Sequence, residues 1–351
     1  MGRDDGKSKN KSRWTRSLTL DHNFPQGPAN IHDRPKIASG GWSIEAPVSS
    51  RLYQKSAIGK PQSDESILLL GEEVLFCHWH RHIPLPHDDL LNESIKQDPQ
   101  LLARATAFEQ IRAGGERLVP VQHVSLPHHP DTWALRWSRD KHPSNAEPDA
   151  EVCWVGFGDS LNLDHWIDWA IHVESKGRIP ELALVDDEYE VTIYQLEMVE
   201  FLKSSPDYST KHEYEIPMTN VNGLWYTAHR SENWNRLGIE QFSGRVLRDE
   251  EFEIISQNGE DNQSLLNLLH SHGLTVRSGF RYGTKWRLYE KSVEHSHAPW
   301  LMDIEGEAPQ NFRSLCLLVR LAEGVHKRWV YARFLNGVWQ FLSFRRWLPG
   351  R

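Results

Sequence analysis

The chain has 351 residues, with 40 Lys and Arg against 48 Asp and Glu and a formal charge of −8. That balance gives no overall attraction to nucleic acid, so contact with a polyanion has to come from a local basic patch. Cys77, Cys153 and Cys316 form an odd, widely spaced set, which fits a reducing cytoplasm better than a disulfide framework.

The length suits two or more units, and fifteen tryptophans supply large surfaces for a core. No apolar run is long enough to span a membrane, and the N-terminus lacks a signal-peptide core, so no membrane partner is expected. Residues 1–40 are polar, locally basic and rich in Pro and Gly, and read as a disordered basic tail. A less regular block, 41–98, reads as a small N-terminal subdomain. Within it "FCHWHRH" carries Cys77, His78, His80 and His82 after the helix-like "ILLLGEEVLF". No second ligand cluster follows at fixed spacing, so a surface or packing role is expected there and no metal.

Residues 99–197 hold a helix with a glycine stop, "LLARATAFEQIRAGG", and strands "TWALRWSRD" and "EVCWVGF". A helix "LDHWIDWAIHVES" follows, and then a hairpin, "PELALV" and "EVTIYQL", around "DDEYE". After a second irregular block, 198–262, the same order returns in 263–351, offset by roughly 150 residues. "NQSLLNLLHSHG" is a helix stopped by Gly273, and "LTVRSGF", "KWRLYEK" and "PWLMDIE" are strands. "RSLCLLVRLAEGVHKR" is a helix, and "WVYARFL" and "VWQFLSF" close on an Asn336-Gly337 turn. The expected fold class is α/β (α+β), with tandem duplicated lobes of mixed sheet and helices. In the last helix, Leu318, Leu321, Ala322 and Val325 are expected to face inward, and Arg320 and Lys327 to leave from one side.

The span Gly279–Met302 concentrates Tyr282, Tyr289, His295 and His297 among cationic side chains. Such groups move protons without a metal. The stretch "GFRYGTKWRLYEK…HSHAPWLM…VRLAEGVHKRWVYA" resembles the catalytic domain of the archaeal tRNA-splicing endonucleases, in their two-unit homodimeric form. The resemblance implies cleavage of pre-tRNA at the intron boundaries of a bulge–helix–bulge RNA. It implies 2′,3′-cyclic phosphate and 5′-hydroxyl ends, with no metal or other cofactor.

On that resemblance the reactive tyrosine is Tyr289, at the end of "RLY", while Tyr282 in "RYG" is aromatic for shape. His297 fits "HAPWL" in every slot, and His295 fits less well. Lys327 follows "VRLAEGV" with one residue between. Tyr289 is expected as the base for the ribose 2′-hydroxyl, His297 as the acid for the departing oxygen, and Lys327 as the charge that steadies the phosphate. Arg320 matches an arginine that stacks on a bulged base, and its partner is open among Trp339, Arg345 and Arg346.

The first lobe is expected to be inactive. Trp137 stands where Tyr289 would align, and His142 precedes a proline in a different context. The resemblance also implies that the acidic turn of Asp186, Asp187, Glu188 and Glu190 docks into a partner copy, giving a homodimer. A non-catalytic RNA-binding subunit with the same fold is the alternative reading.

Overall fold

The computed structural model describes residues 33–201, 217–228, 236–241, 243–256, 264–291, 293 and 296–350. The tail reading for residues 1–32, and the candidate His295, lie outside them. The chain divides into two compact units, Met1–Gln110 with Val185–Val191, and Ile111–Leu184 with Thr192–Arg351.

The first unit contains β1 (Lys36–Ala38), β2 (Gly41–Ile44), α1 (Val48–Ser56), β3 (Lys60–Pro61) and β4 (Ile67–Leu69). It continues with α2 (Gly71–Arg81), α3 (Leu90–Gln97) and α4 (Leu101–Ala113), the last leading into the second unit. The strands form one sheet in the order β1-β2-β4-β3. β1 falls inside the stretch read as tail, so ordered chain starts before residue 41. Its pairing with β2 turns on Gly40 at φ 84°, a backbone state that glycine enters without a Cβ clash. At the start of α2, the Glu73 carboxylate accepts from the Leu70 and Gly59 amides at 2.9 Å each. It satisfies donors that a helix start leaves open.

In the second unit come β5 (Arg117–Pro120), β6 (Ala134–Trp137), β7 (Ala150–Gly156), α5 (Leu163–Glu174), β8 (Ile179–Val185) and β9 (Val191–Met198). Next are β10 (Thr219–Val221), β11 (Leu224–Thr227), β12 (Ile239–Gln241), β13 (Gly244–Arg248) and α6 (Asp249–Ser256). The second lobe follows as α7 (Leu265–Ser271), β14 (Thr275–Ser278), β15 (Trp286–Tyr289), β16 (Trp300–Ile304), α8 (Phe312–Gly324), β17 (Arg328–Leu335) and β18 (Val338–Trp347).

One ten-stranded sheet runs β14-β15-β16-β17-β18-β9-β8-β7-β6-β5. Each half has the same order outward from the middle, so the duplication read from sequence is a geometric repeat. The halves meet where β18 pairs antiparallel with β9, from Leu342 opposite Met198 to Trp347 opposite Ile193. The repeat reaches individual bonds. Asn162 caps α5 by accepting from the Asp164 and His165 amides, and Asn311 caps α8 by accepting from the Ser314 amide. The Arg178 amide returns to Val173 past the end of α5, and the Lys327 amide returns to Ala322 in the same way past α8. The Ile179 amide then reaches Asp149, and the Arg328 amide reaches Pro299. The β17–β18 hairpin turns on Asn336 (φ 53°) and Gly337 (φ 82°), both left-handed as a two-residue hairpin requires.

On one face of this sheet, α5 and α8 bury Trp166, Trp169, Phe312, Leu315, Trp329 and Phe344 together. Each such side chain contributes roughly 1.5–3 kcal/mol of burial. On the other face of the second lobe, Trp286, Leu288, Val276, Met302 and Val330 pack with α6 and α7 residues such as Ile254 and Leu266. The inward stripe of α8 is Phe312, Leu315, Leu318, Val319 and Ala322. Leu321 and Val325 are 54% and 44% exposed, which corrects the expected face: the helix is rotated so that Phe312 and Leu315 lead the buried stripe.

Candidate active site

Strand alternation builds the site. On β15, Trp286 and Leu288 point into the core beside α7, so Arg287 and Tyr289 take the opposite face, the one α8 covers. Arg287 pairs across the ladder with Leu301, which belongs to the core under α8. Tyr289 is the last residue of the strand and is buried, and its hydroxyl has no hydrogen-bond partner among the described residues.

The turn before β15 brings a second phenol to the same face. Gly279 accepts from the Tyr282 amide at 2.7 Å and donates to the Lys285 carbonyl at 2.8 Å. Lys285 in turn donates its amide to the buried Asp303 carboxylate at 2.6 Å. A Cβ on Gly279 would meet the Thr284 hydroxyl at 2.2 Å, so this close approach requires glycine. The turn sets the half-buried Tyr282 ring against the core under α8.

Lys327 reaches the cluster from past the end of α8, not from its side, because the helix stops at Gly324 and the chain reverses through His326 at φ 55°. This corrects the expectation that Arg320 and Lys327 leave one side of the helix. Arg320 is on the exposed face, whereas Lys327 is 7% exposed and points inward. Its Nζ donates to the Ala298 carbonyl at 2.6 Å and stands 5.4 Å from the centre of the Tyr282 ring. Ala298 directly follows His297, which is exposed. Arg287 closes the group, with its guanidinium 6.0 Å from the Tyr282 ring and 5.7 Å from the Tyr289 ring. Tyr289, Lys327 and the chain beside His297 therefore lie in one cluster arranged around Tyr282 and Arg287.

Tyr282 and Arg287 are the members that sequence reasoning passed over. Tyr282 was read as a shape residue, yet two cations stand against its ring, at distances where the ring face attracts them. Arg287 reads as an ordinary polar position on an alternating strand, and only its place two residues before Tyr289 hints at a shared face. Among the described residues neither Lys327 nor Arg287 has a carboxylate partner.

The first lobe shows the contrast. Trp137 occupies the ladder position of Tyr289, fully buried, with its indole N–H donated to Ala146 at 2.8 Å. Arg178 occupies the position of Lys327, and it meets the buried Glu151 at 2.8 Å. Burial pushes the Glu151 carboxyl up. The Thr132 hydroxyl, the His129 amide, Arg178 and Lys176 outweigh that and hold it below the usual carboxylate range. The place of Glu151 is taken in the second lobe by Leu301, and that of Leu135 by Arg287. One lobe thus carries a neutralised pair where the other, among the described residues, carries cations without a carboxylate partner. His142 lies in an exposed turn against Ser144.

Of the three candidates beside Arg320, Arg346 shares its face. The Arg346 amide donates to Glu323 of α8 at 2.9 Å. Trp339 packs on the opposite face near Phe334, and Arg345 donates to Gln195 at 2.7 Å.

In the first unit, the turn Val185–Val191 is organised by Asp186. Its carboxylate accepts from the Glu188 and Glu190 amides at 3.0 and 2.8 Å, leaving Asp187, Glu188 and Glu190 exposed. In "FCHWHRH", His80 pairs with Glu109 at 2.7 Å and His78 meets the Ile83 carbonyl, while His82 is the left-handed residue ending α2. Among the described residues, no group of three His, Cys, Asp or Glu is placed to hold a metal ion, and no helix is long and apolar enough to cross a membrane.

Residues 265–337 match the family model described as "tRNA intron endonuclease, catalytic C-terminal domain", a span that includes Tyr289, His297, Arg320 and Lys327. The chain is similar to the tRNA-splicing endonuclease of Picrophilus torridus, 24% identical over 163 residues, which are 46% of this chain and 54% of that protein. It is similar to that of Methanococcus maripaludis, 29% identical over 131 residues, 36% of this chain and 71% of that protein. A third, from Thermoplasma volcanium, is 25% identical over 165 residues, 46% of this chain and 53% of that protein. The match thus spans about half the length of the Picrophilus and Thermoplasma relatives. The resemblance to tRNA intron endonuclease catalytic domains is carried by residues 265–337, the C-terminal part of the chain.

Proposed function

We propose that the second lobe is the cutting lobe of a tRNA-splicing endonuclease, acting on pre-tRNA at bulge–helix–bulge junctions. The reaction is a transesterification. The ribose 2′-oxygen attacks the adjacent phosphorus and the 5′-oxygen of the next nucleotide departs, giving a 2′,3′-cyclic phosphate and a 5′-hydroxyl. Tyr289 takes the 2′-proton, His297 gives a proton to the leaving oxygen, and Lys327 steadies the extra negative charge on phosphorus.

The observation that carries this reading is the state of Lys327. A buried ammonium is costly without an opposite charge, and among the described residues this one donates only to the Ala298 carbonyl, adjacent to His297. Among the described residues its other two donors meet no acceptor, and a phosphodiester is an anion of suitable size to take them. The equivalent Arg178, with Glu151 at hand, has no such vacancy. Arg287 adds a second cation against the Tyr289 ring and favours the same ligand. Arg320 stacks on a bulged base, with Arg346 the neighbour on its face.

The working particle in this proposal is a homodimer. The exposed carboxylates Asp187, Glu188 and Glu190 of one copy dock on a basic surface of the other, setting two cutting lobes at a fixed spacing for two splice junctions.

The test is cleavage of a bulge–helix–bulge RNA in EDTA, with product ends assayed for cyclic phosphate. Cutting that continues in EDTA and is lost in His297→Ala supports the proposal. Binding without cutting by the wild-type chain would leave it a non-catalytic RNA-binding subunit.

A further inference from the structure

Phe280 is 88% exposed, the most exposed of the large apolar residues described, and it stands on a hydrogen-bonded turn. The Gly279 amide is tied to Lys285, the Phe280 carbonyl accepts from the Gly283 amide at 3.2 Å, and Gly283 is left-handed at φ 68°. The same turn holds Tyr282 under Lys327 and Arg287, so its backbone cannot tilt the phenyl inward without dismantling the site. A single exposed apolar side chain is ordinary on a protein surface. One fixed outward on the rim of a cationic cluster is a different case. Arg281, its neighbour, is also exposed, and among the described residues Arg281, Arg287 and Lys327 all lack a carboxylate partner.

We propose that Phe280 is a stacking platform for one unpaired nucleobase next to the scissile linkage. A flat ring beside unpaired cations matches the two halves of a nucleotide, with the base on the ring and the phosphate on the charges. An apolar peptide partner would want a wider patch, and the flanking residues, Gly279 and Arg281, offer none. The role is binding and register, not proton transfer: the phenyl holds the base so that the neighbouring phosphate lies over Lys327. The inference rests on the proposed RNA-cutting function of the lobe.

The experiment uses the full chain. Bulge–helix–bulge RNAs carrying 2-aminopurine at single unpaired positions are mixed with His297→Ala, which binds without cutting. Stacking on Phe280 quenches the fluorescence at one position beside the scissile linkage. The quench is expected to vanish in His297→Ala/Phe280→Ala and to persist in His297→Ala/Phe280→Trp. In the His297 background, Phe280→Ala is expected to lower cleavage at subsaturating protein by about 5- to 150-fold, with Phe280→Trp near the parent. Because Phe280 is exposed, unchanged thermal melts will show that the variants fold. Equal quenching and equal cleavage in Phe280→Ala would overturn the proposal. So would a change in sedimentation without a change in RNA contact, which would make Phe280 a protein-interface residue. If the parent fails to cut, the functional reading falls, and the quenching assay still decides the base contact by itself.

Discussion

Leu301 stands in the second lobe at the ladder position that Glu151 holds in the first. The first lobe buries a carboxylate there and ties Arg178 to it at 2.8 Å, whereas the second buries a leucine side chain at that position. This exchange removes the buried carboxylate that the first lobe sets against its cation. Leu301→Glu is therefore expected to abolish cutting, by at least 10²-fold, while Leu301→Met stays within a few-fold of the parent. Single-turnover cleavage of both, with melts to check folding, is the measurement. Equal rates for the Glu variant would remove the charge argument.

Lys327 itself is expected to resist conservative exchange. Lys327→Ala should lower the single-turnover rate by about 10²- to 10³-fold, the range for losing a charge that faces a transition state. Lys327→Arg should not restore it, since a planar fork cannot both occupy this buried site and keep the bond to Ala298. RNA affinity measured in the His297→Ala background should fall far less than the rate.

His270, on α7, gives a prediction about pH and stability. Burial pushes its imidazole down to about 4, so the folded chain keeps it neutral where the unfolded chain, with an ordinary value near 6.5, takes up a proton. The unfolded state then binds more protons between those values, and stability falls as pH drops through that window. Between pH 7.5 and 5.0 the loss from this group is about 2 kcal/mol. Denaturant titrations at both pH values should show that difference narrowing by about this amount in His270→Leu.

The acidic turn should respond unevenly to neutralisation. Asp186 holds the turn through the Glu188 and Glu190 amides, and Asn keeps that acceptor. Asp187→Asn with Glu188→Gln removes exposed charge and leaves the turn intact. The pair is expected to weaken self-association and cutting together, read by sedimentation and cleavage at matched concentrations. Unchanged sedimentation with full cutting would argue against the docking role.

Much of this was legible before any coordinates. The repeat showed in paired helix–strand orders, and Asn336-Gly337 marked its hairpin because only left-handed turns fit a two-residue loop. Tyr289, His297 and Lys327 are singled out by the resemblance to the endonuclease motif, and their roles stand as the proposal made above. Other features were hidden for physical reasons. β5 is four residues and ends on Pro120, so it leaves no alternation to detect. On α8, Leu317, Leu321 and Val325 repeat at helical spacing yet lie outside, because the competing stripe from Phe312 to Ala322 holds the larger side chains. Lys327 reads as the next turn of that helix until the chain reverses at His326. The role of Arg287 depends on two rings from different segments, and no single stretch of sequence contains that relation.

The pairing of β18 with β9 has a wider effect than joining two copies of a motif. The first lobe covers what would otherwise be an open strand edge on the second, row by row of backbone amides and carbonyls. An uncovered edge of that kind invites a stray chain. The first half can therefore lack the side chains gathered around Tyr282 in the second and still be needed: its task is to be the permanent neighbour that keeps its sibling from seeking another.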